Sequence, residues 1–395
     1  MVRRCINFGQ LLGTQLMRKV SVIGVGMIPF GRHYGKDTVD LAWPAVKQAL
    51  TDAGIDRSKI DMTFCGSSYG GMLTGQRILT RLGMSGPPII NIENACSSGS
   101  TALFEARRAV GNGDCDVALV IGADSLTQFG GGTIPLVEDD WEISQGMTMP
   151  ALYAMRARRY MHDWGVTEEQ LAKVSVKARA HGARNPDAQY QKEVTLEEVL
   201  GSRPIADPLT LLQCCPTGDG AAAAIICASD QADQYEGKPI EILASELCSG
   251  KFTNGFRDMT SPEITVRGAS LAYEEAGVGP GDIDVAEVHD AFSIAELIYY
   301  EAFGFCERGE AVHLLESGAT SIGGTTVINP SGGLLSKGHP IGGTGIAQVV
   351  EVVRQLRGQC ADRQVEDAKI GLTHATGGGA MGMDHGACSI HIFSR

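Results

Sequence analysis

Basic charge is scarce in this chain: 33 Lys and Arg stand against 46 Asp and Glu, for a net charge of −13. No basic stripe with interleaved aromatics occurs, which argues against a nucleic-acid partner. The longest apolar runs, such as "AAAAIICA", fall well short of the ~20 residues that cross a bilayer, so no membrane span is expected. The eleven cysteines form no C-x-x-C pair and show no His/Cys ligand spacing. They read as reduced thiols of a cytoplasmic protein, and no metal site is expected. G-x-x-x-x-G-K-[ST] is missing, no convincing G-x-G-x-x-G follows the first strand, and there is no G-x-S-x-G elbow. Nucleotide hydrolysis, dinucleotide binding and a serine hydrolase are therefore poor readings. The first residues lack an apolar h-region with a cleavage site, and the terminal "IFSR" is no peroxisomal address. Residues 1–16 are expected to be a disordered or spurious leader before a start at Met17.

Glycine, by contrast, is abundant, with 51 residues gathered in short runs such as "NPSGGLL" and "ATGGGAMG" that suggest tight turns around a site. The chain also repeats itself. "ALTDAGIDRSKIDMTFCG" (Ala49 to Gly66) aligns without a gap on "AYEEAGVGPGDIDVAEVH" (Ala272 to His289). Each copy reads as a helix end, a glycine stop, a short turn and an apolar strand. In each half a Gly/Ser-rich turn then opens a helix, from Ser98 and from about Gly345, and a strand follows ("VALVIGAD", "KIGLTHA"). This predicts an α/β fold with two pseudo-twofold halves. The expected division is 17–126 plus 217–236 for the N-terminal half and 237–395 for the C-terminal half. Residues 127–216 form a mainly helical insertion over the site, ending at "CCPTGDGAAAA". The adjacent Cys214 and Cys215 are taken as buried packing.

Chemistry-bearing residues gather beside the glycine runs. Cys96, in "NACSSGSTAL", precedes a helix whose unpaired N–H groups would stabilise a thiolate and hold a thioester oxygen. A buried core cysteine is the competing reading. His289 ends a strand in "HDAF" and could equally cap a helix. His339 sits in a rigid Gly-His-Pro loop with no obvious packing role. His374 ends a strand and reads as a supporting residue, whereas His162, His181 and His313 are expected to be solvated.

"NACSSGSTAL", "HDAF", "GGLLSKGHPIGGTG" and "THATGGGAMG" stand in the order and spacing of the thiolase superfamily. From Met17 onward the chain resembles the branch of sterol-carrier-protein-type and archaeal acetoacetyl-CoA thiolases, which includes aromatic 3-oxoacyl-CoA thiolases. The resemblance implies the thiolase fold: two βαβαβαββ halves in five α-β-α-β-α layers, with an inserted loop domain. It implies Cys96 as acyl-accepting nucleophile, activated by His339. One oxyanion hole would come from His289 and His339, with His289 where typical thiolases carry Asn. A second would use the backbone N–H groups of Cys96 and Gly377. Acyl-CoA and CoA would be the partners, with CoA as co-substrate and no tightly bound cofactor. A homodimer or dimer of dimers is implied, and some relatives work with a small zinc-ribbon/OB-fold subunit. The implied activity is CoA-dependent cleavage of a 3-oxoacyl-CoA, with a bulky or aromatic acyl group in view. Two departures stand out. The second catalytic cysteine of typical thiolases falls on Ala375, and that of sterol-carrier-type relatives falls on Ala291. Another acid must serve (His289, His339, His374 or water), with His374 a candidate proton carrier. Otherwise the reaction is a retro-aldol cleavage of a 3-hydroxyacyl-CoA, or the chain is a non-catalytic acyl-CoA-binding subunit. A ketoacyl synthase fits the motifs less well.

Overall fold

The computed structural model describes residues 17–130, 132, 134–136, 140–252, 254–378 and 385–395. The leader expected at 1–16 and the end of the last glycine run, 379–382, lie outside them. The N-terminal half runs β1 (Val20–Met27), α1 (Thr38–Ala53), β2 (Met62–Gly66), α2 (Thr74–Arg81), β3 (Ile89–Ile92), α3 (Ser98–Asn112) and β4 (Val117–Ser125). The intervening segment holds α4 (Trp141–Ser144), α5 (Met149–Trp164), α6 (Glu168–Gly182), α7 (Leu196–Leu200) and a small hairpin, β5 (Pro204–Ala206) with β6 (Leu209–Thr210). β7 (Asp219–Ala228) returns to the first half. The C-terminal half follows as β8 (Ile240–Ser249), α8 (Glu263–Ala276), β9 (Val285–Glu287), α9 (Ser293–Ala302), α10 (Ala311–Glu316), β10 (Val327–Ile328), α11 (Gly333–Ser336), α12 (Ile341–Arg357), β11 (Ile370–Gly377) and β12 (Ala387–Ser394).

The internal repeat is visible in atomic detail. Gly54 and Gly277 end α1 and α8 in the left-handed region, with φ of 63° and 69°. Each glycine is followed by one turn of 3₁₀ helix, Arg57–Lys59 and Pro280–Asp282. Asp61 then accepts the N–H groups of Asp116 and Val117, and Asp284 those of Lys369 and Ile370. Each carboxylate ties the start of one parallel strand to its neighbour. The sheet order is β10-β9-β11-β12-β8-β1-β7-β4-β2-β3. It is two five-stranded units of identical topology, joined where Ser21 and Val22 pair with Glu241 and Ile240.

Three apolar clusters separate the layers. α1 packs Ala42, Ala45, Val46 and Ala49 on one face of the N-terminal strands. α3 and α12 lie in the middle, where Leu103, Val110, Val349 and Val353 share a core with Val120 and Ala224 on one side and Ile242 and Phe393 on the other. α8 and α9 cover the far face, and α5 and α6 join that cluster through Tyr153, Tyr160, Leu171 and Val174. Strands covered on both faces read as unbroken apolar runs, as β4 and β7 do, and both are buried throughout.

The central helices cross backbone to backbone. A Cβ on Gly99 would stand 2.4 Å from the Gly342 carbonyl oxygen, and one on Gly345 would stand 2.7 Å from the Ser100 nitrogen. α12 accordingly begins at Ile341, ahead of the start expected near Gly345. Its glycines are there for the crossing, not for a loop. Among the described residues, no helix is long and apolar enough to cross a membrane.

Candidate active site

The turn between β3 and α3 carries Cys96. Asn94 and Ala95 present their carbonyls to the N–H groups of Ser97 and Ser98, both at 3.0 Å. Ala95 adopts φ +48°, a left-handed conformation unfavourable for a residue with a Cβ. Ser97 fastens the turn to the last strands through a 2.7 Å contact with Ser389 Oγ and a 3.3 Å bond to the Ala375 carbonyl. Cys96 thus sits just ahead of α3, where the helix crossing brings it toward the loop before α12.

That loop carries His339 between Gly338, at φ +112°, and Pro340. His339 Nδ1 lies 2.7 Å from Thr344 Oγ1, which holds the ring by one nitrogen and leaves the other available. A buried polar network anchors both histidine loops to β9. Glu287 pairs with Lys337 Nζ at 3.0 Å and accepts both the N–H and the hydroxyl of Ser331. Asp290 accepts the Leu334 N–H at 2.7 Å. From the other half, buried Asp124 accepts the N–H of Gly342 at 2.7 Å together with Ser67 Oγ and the N–H groups of Ser68 and Tyr69. The outcome is a compact group. Cys96 Sγ and one ring nitrogen each of His289 and His339 lie within 4.8 Å of one another, and the two rings meet edge-on, 5.0 Å between centroids.

Burial dominates the electrostatics here. It pushes the Cys96 thiol up to about 12, with Asp124 adding to the rise, although the backbone N–H groups of Gly378 and Cys96 bond to the sulfur and pull the other way. Burial also lowers His339 to about 3 and holds His289 well below its ordinary value, with His339, His374 and His385 adding to the latter effect. The resting site is therefore a neutral thiol beside neutral imidazoles. This corrects the expectation of a thiolate-rich cysteine: desolvation exceeds what the helix start supplies.

The remaining expected residues take distinct places. Gly377 ends β11 opposite Ala387, and the N–H that reaches the sulfur is that of its neighbour Gly378. His374 is buried behind His289, whose backbone N–H lies 3.4 Å from its Nδ1, and its ring packs against those of Tyr299 and Phe303. His162 and His313 are exposed, but His181 is buried, with Nδ1 2.9 Å from the Asn329 carbonyl. Its helix lies under the C-terminal half, and for that reason it is not solvated.

Cys96, His289 and His339 line one cavity of about 390 Å³. Much of its wall comes from the inserted segment: Ile134, Leu136, Ile143, Met147, Met149 and Tyr153, then Cys214 and Cys215 at its end. The cysteine pair, expected from sequence to be buried packing, is half-buried: it packs on the C-terminal cluster and also borders this space. His385 is a wall residue that the linear motifs did not single out. Its Nε2 lies 3.0 Å from the Tyr153 hydroxyl, and Tyr153 stacks on Phe292. The available signal was its place just ahead of β12, where the Gly386 N–H bonds back to Gly377. A carbonyl carbon beside Cys96 Sγ would find imidazole and backbone N–H donors around its oxygen, the requirement for acyl transfer to sulfur.

Comparison with known proteins bears on this geometry. Residues 20–230 match the family model "Thiolase, N-terminal domain" and residues 246–390 match "Thiolase C-terminal domain-like". The chain is 43% identical over 383 residues to the benzoylsuccinyl-CoA thiolase subunit BbsB of Thauera aromatica, covering 95% of this chain and 99% of that one. It is 42% identical over 388 residues to an acetyl-CoA acetyltransferase of Methanothermobacter thermautotrophicus, covering 96% and 100%. Among solved structures, the Ltp2-ChsH2(DUF35) aldolase superposes with a TM-score of 0.84 at 27% identity, over 96% of this chain and 98% of that one.

Proposed function

This chain belongs to the thiolase family and is an acyltransferase of that type acting on CoA thioesters, and from that premise we propose that it cleaves a bulky or aromatic 3-oxoacyl-CoA with CoA. The cavity carries this reading. Its catalytic end holds Cys96, His289 and His339, and the rest of its wall is largely apolar side chains from the inserted segment, suited to a large acyl group. His339 takes the thiol proton as Cys96 Sγ attacks the ketone carbon. His289, His339 and the N–H groups of Cys96 and Gly378 receive the developing oxyanion, with Gly377 fixing that turn. The carbon–carbon bond then breaks, an enolate of the shorter CoA thioester departs, and incoming CoA takes the acyl group from Cys96. CoA arrives from solution as co-substrate.

Two further elements have support. The benzoylsuccinyl-CoA enzyme is named as a subunit, and the aldolase occurs with a DUF35 protein, which favours a small zinc-ribbon/OB-fold companion here. β3 is an edge strand with Ile90 43% exposed, which suits pairing across a twofold in a homodimer or a dimer of dimers. The reduced cysteines fit a cytoplasmic setting.

The test is mass spectrometry of the Cys96 peptide after incubation with 3-oxo-3-phenylpropanoyl-CoA, together with a product assay across aromatic and aliphatic 3-oxoacyl-CoAs. A benzoyl adduct on Cys96, lost with turnover in Cys96→Ser, is expected. The likeness to the aldolase, with Ala375 and Ala291 in the usual thiol positions, favours retro-aldol cleavage as the second reading. Cleavage of a 3-hydroxyacyl-CoA without CoA, unaffected by Cys96→Ser, would establish that reading instead.

A further inference from the structure

Cleavage leaves an enolate that must take a proton at carbon, and the two positions where relatives place a thiol for this are alanines. The donor must stand on the cavity wall, hold its proton at neutral pH, and not already be committed elsewhere. His289 and His339 are neutral and face the oxygen of the substrate. His385 Nε2 is engaged with Tyr153, and His374 lies behind His289.

The end of the inserted segment meets the requirement. Cys214 and Cys215 run antiparallel to Ala291 and Phe292: Cys214 bridges to Phe292, and the Cys215 N–H donates to the Ala291 carbonyl at 2.9 Å. Cys215 therefore stands against the residue where sterol-carrier-type relatives carry their second cysteine. The backbone at Cys214 is extended, with φ −115° and ψ 141°, so the two side chains point to opposite sides. Cys214 turns its thiol to the Thr210 carbonyl at 3.4 Å. Cys215 faces the other way, on the wall of the cavity that Cys96 also lines. His289, only 3% exposed, also lines this wall, and its Nδ1 has no hydrogen-bond partner among the described residues. That buried, unmatched ring nitrogen is left for a polar ligand group.

We infer that Cys215 is the acid that protonates the departing enolate, a thiol supplied by the inserted segment in place of the one missing at Ala291 and Ala375. The role rests on the acyl-transfer reading above. Cys96 gives its proton to His339 and bonds to the ketone carbon. As the carbon–carbon bond breaks, its electron pair becomes the enolate, which takes the Cys215 proton at carbon and leaves a Cys215 thiolate. His339 then returns its proton to Cys215 through solvent, and in the second half-reaction it takes the CoA thiol proton as the CoA sulfur attacks the acyl group and passes that proton to the departing Cys96 thiolate. No oxidant or further reactant is needed. Burial keeps Cys215 well above the usual thiol range, so it enters the cycle protonated.

Two routes to the same benzoyl-Cys96 separate this role from a structural one. 3-Oxo-3-phenylpropanoyl-CoA acylates Cys96 by releasing an enolate, whereas benzoyl-CoA acylates it by thioester exchange with no enolate. Cys215→Ala should slow the first at least ~100-fold, the scale of a lost general acid, and leave the second within ~3-fold. Adding Ala291→Cys to Cys215→Ala should restore at least ~10-fold of the first, which also shows that the protein is folded. Two results would overturn the inference: Cys215→Ala keeping both rates, or losing both equally. If wild type is benzoylated by neither compound, the acyl-transfer reading itself fails, and this role with it.

Discussion

Alkylation of Cys96 by iodoacetamide, followed from pH 6 to pH 10, probes the electrostatic balance on which the mechanism depends. The thiolate is the reacting species. With the thiol pushed up to about 12 by burial and by Asp124, the thiolate fraction at pH 8 is about 10⁻⁴. A cysteine at the ordinary value of 9.0 would be about 10% thiolate at that pH, so Cys96 should react roughly a thousandfold more slowly. The sign follows from the direction of the shift: the group is an acid whose neutral form is favoured by burial. Its alkylation rate should rise about tenfold per pH unit across the whole range, while an unfolded control levels off above pH 9. His339, held near 3, stays neutral throughout and so contributes no step to the profile. The assay is a quench series read by mass spectrometry of the Cys96 peptide. A plateau with a midpoint below pH 8 would refute the argument, because it would reveal a thiolate–imidazolium pair at rest.

Lys337→Met should cost about 3–5 kcal/mol in urea unfolding, because it strands the fully buried Glu287 carboxylate 3.0 Å from where the ammonium stood. Gly99→Ala should cost about 1–3 kcal/mol and also lower kcat, since its Cβ would press on the Gly342 carbonyl and part the helices behind Cys96 and His339. Ile143→Trp, which fills the cavity from the inserted segment, should abolish cleavage of aromatic 3-oxoacyl-CoAs while retaining that of acetoacetyl-CoA.

The pseudo-twofold was legible in the residues alone. The matching Ala-Gly and Ile-Asp pairs already encode two glycine helix stops and two aspartate clamps, because those features depend on local backbone geometry and on hydrogen bonds made at fixed offsets. Cys96, His289 and His339 were legible as candidates because each lies where a turn or strand end meets the start of a helix, and His339 is also held between Gly338 and Pro340. Burial, in contrast, is a sum over neighbours distant in the chain. Only the tertiary structure could decide that Cys96 rests as a neutral thiol, that His181 lies under the C-terminal half, and that His374 stands behind His289. The glycines of α12 read as a loop until the crossing with α3 showed them to be contact points between two backbones. Cys215 is the plainest case. Nothing in "CCPTGDG" joins it to "HDAF", and the hydrogen bond that does so links residues separated in the chain by β7, β8, α8 and β9. A strand's pattern records which faces are covered, but which side chains meet across a cavity is decided where separate elements converge.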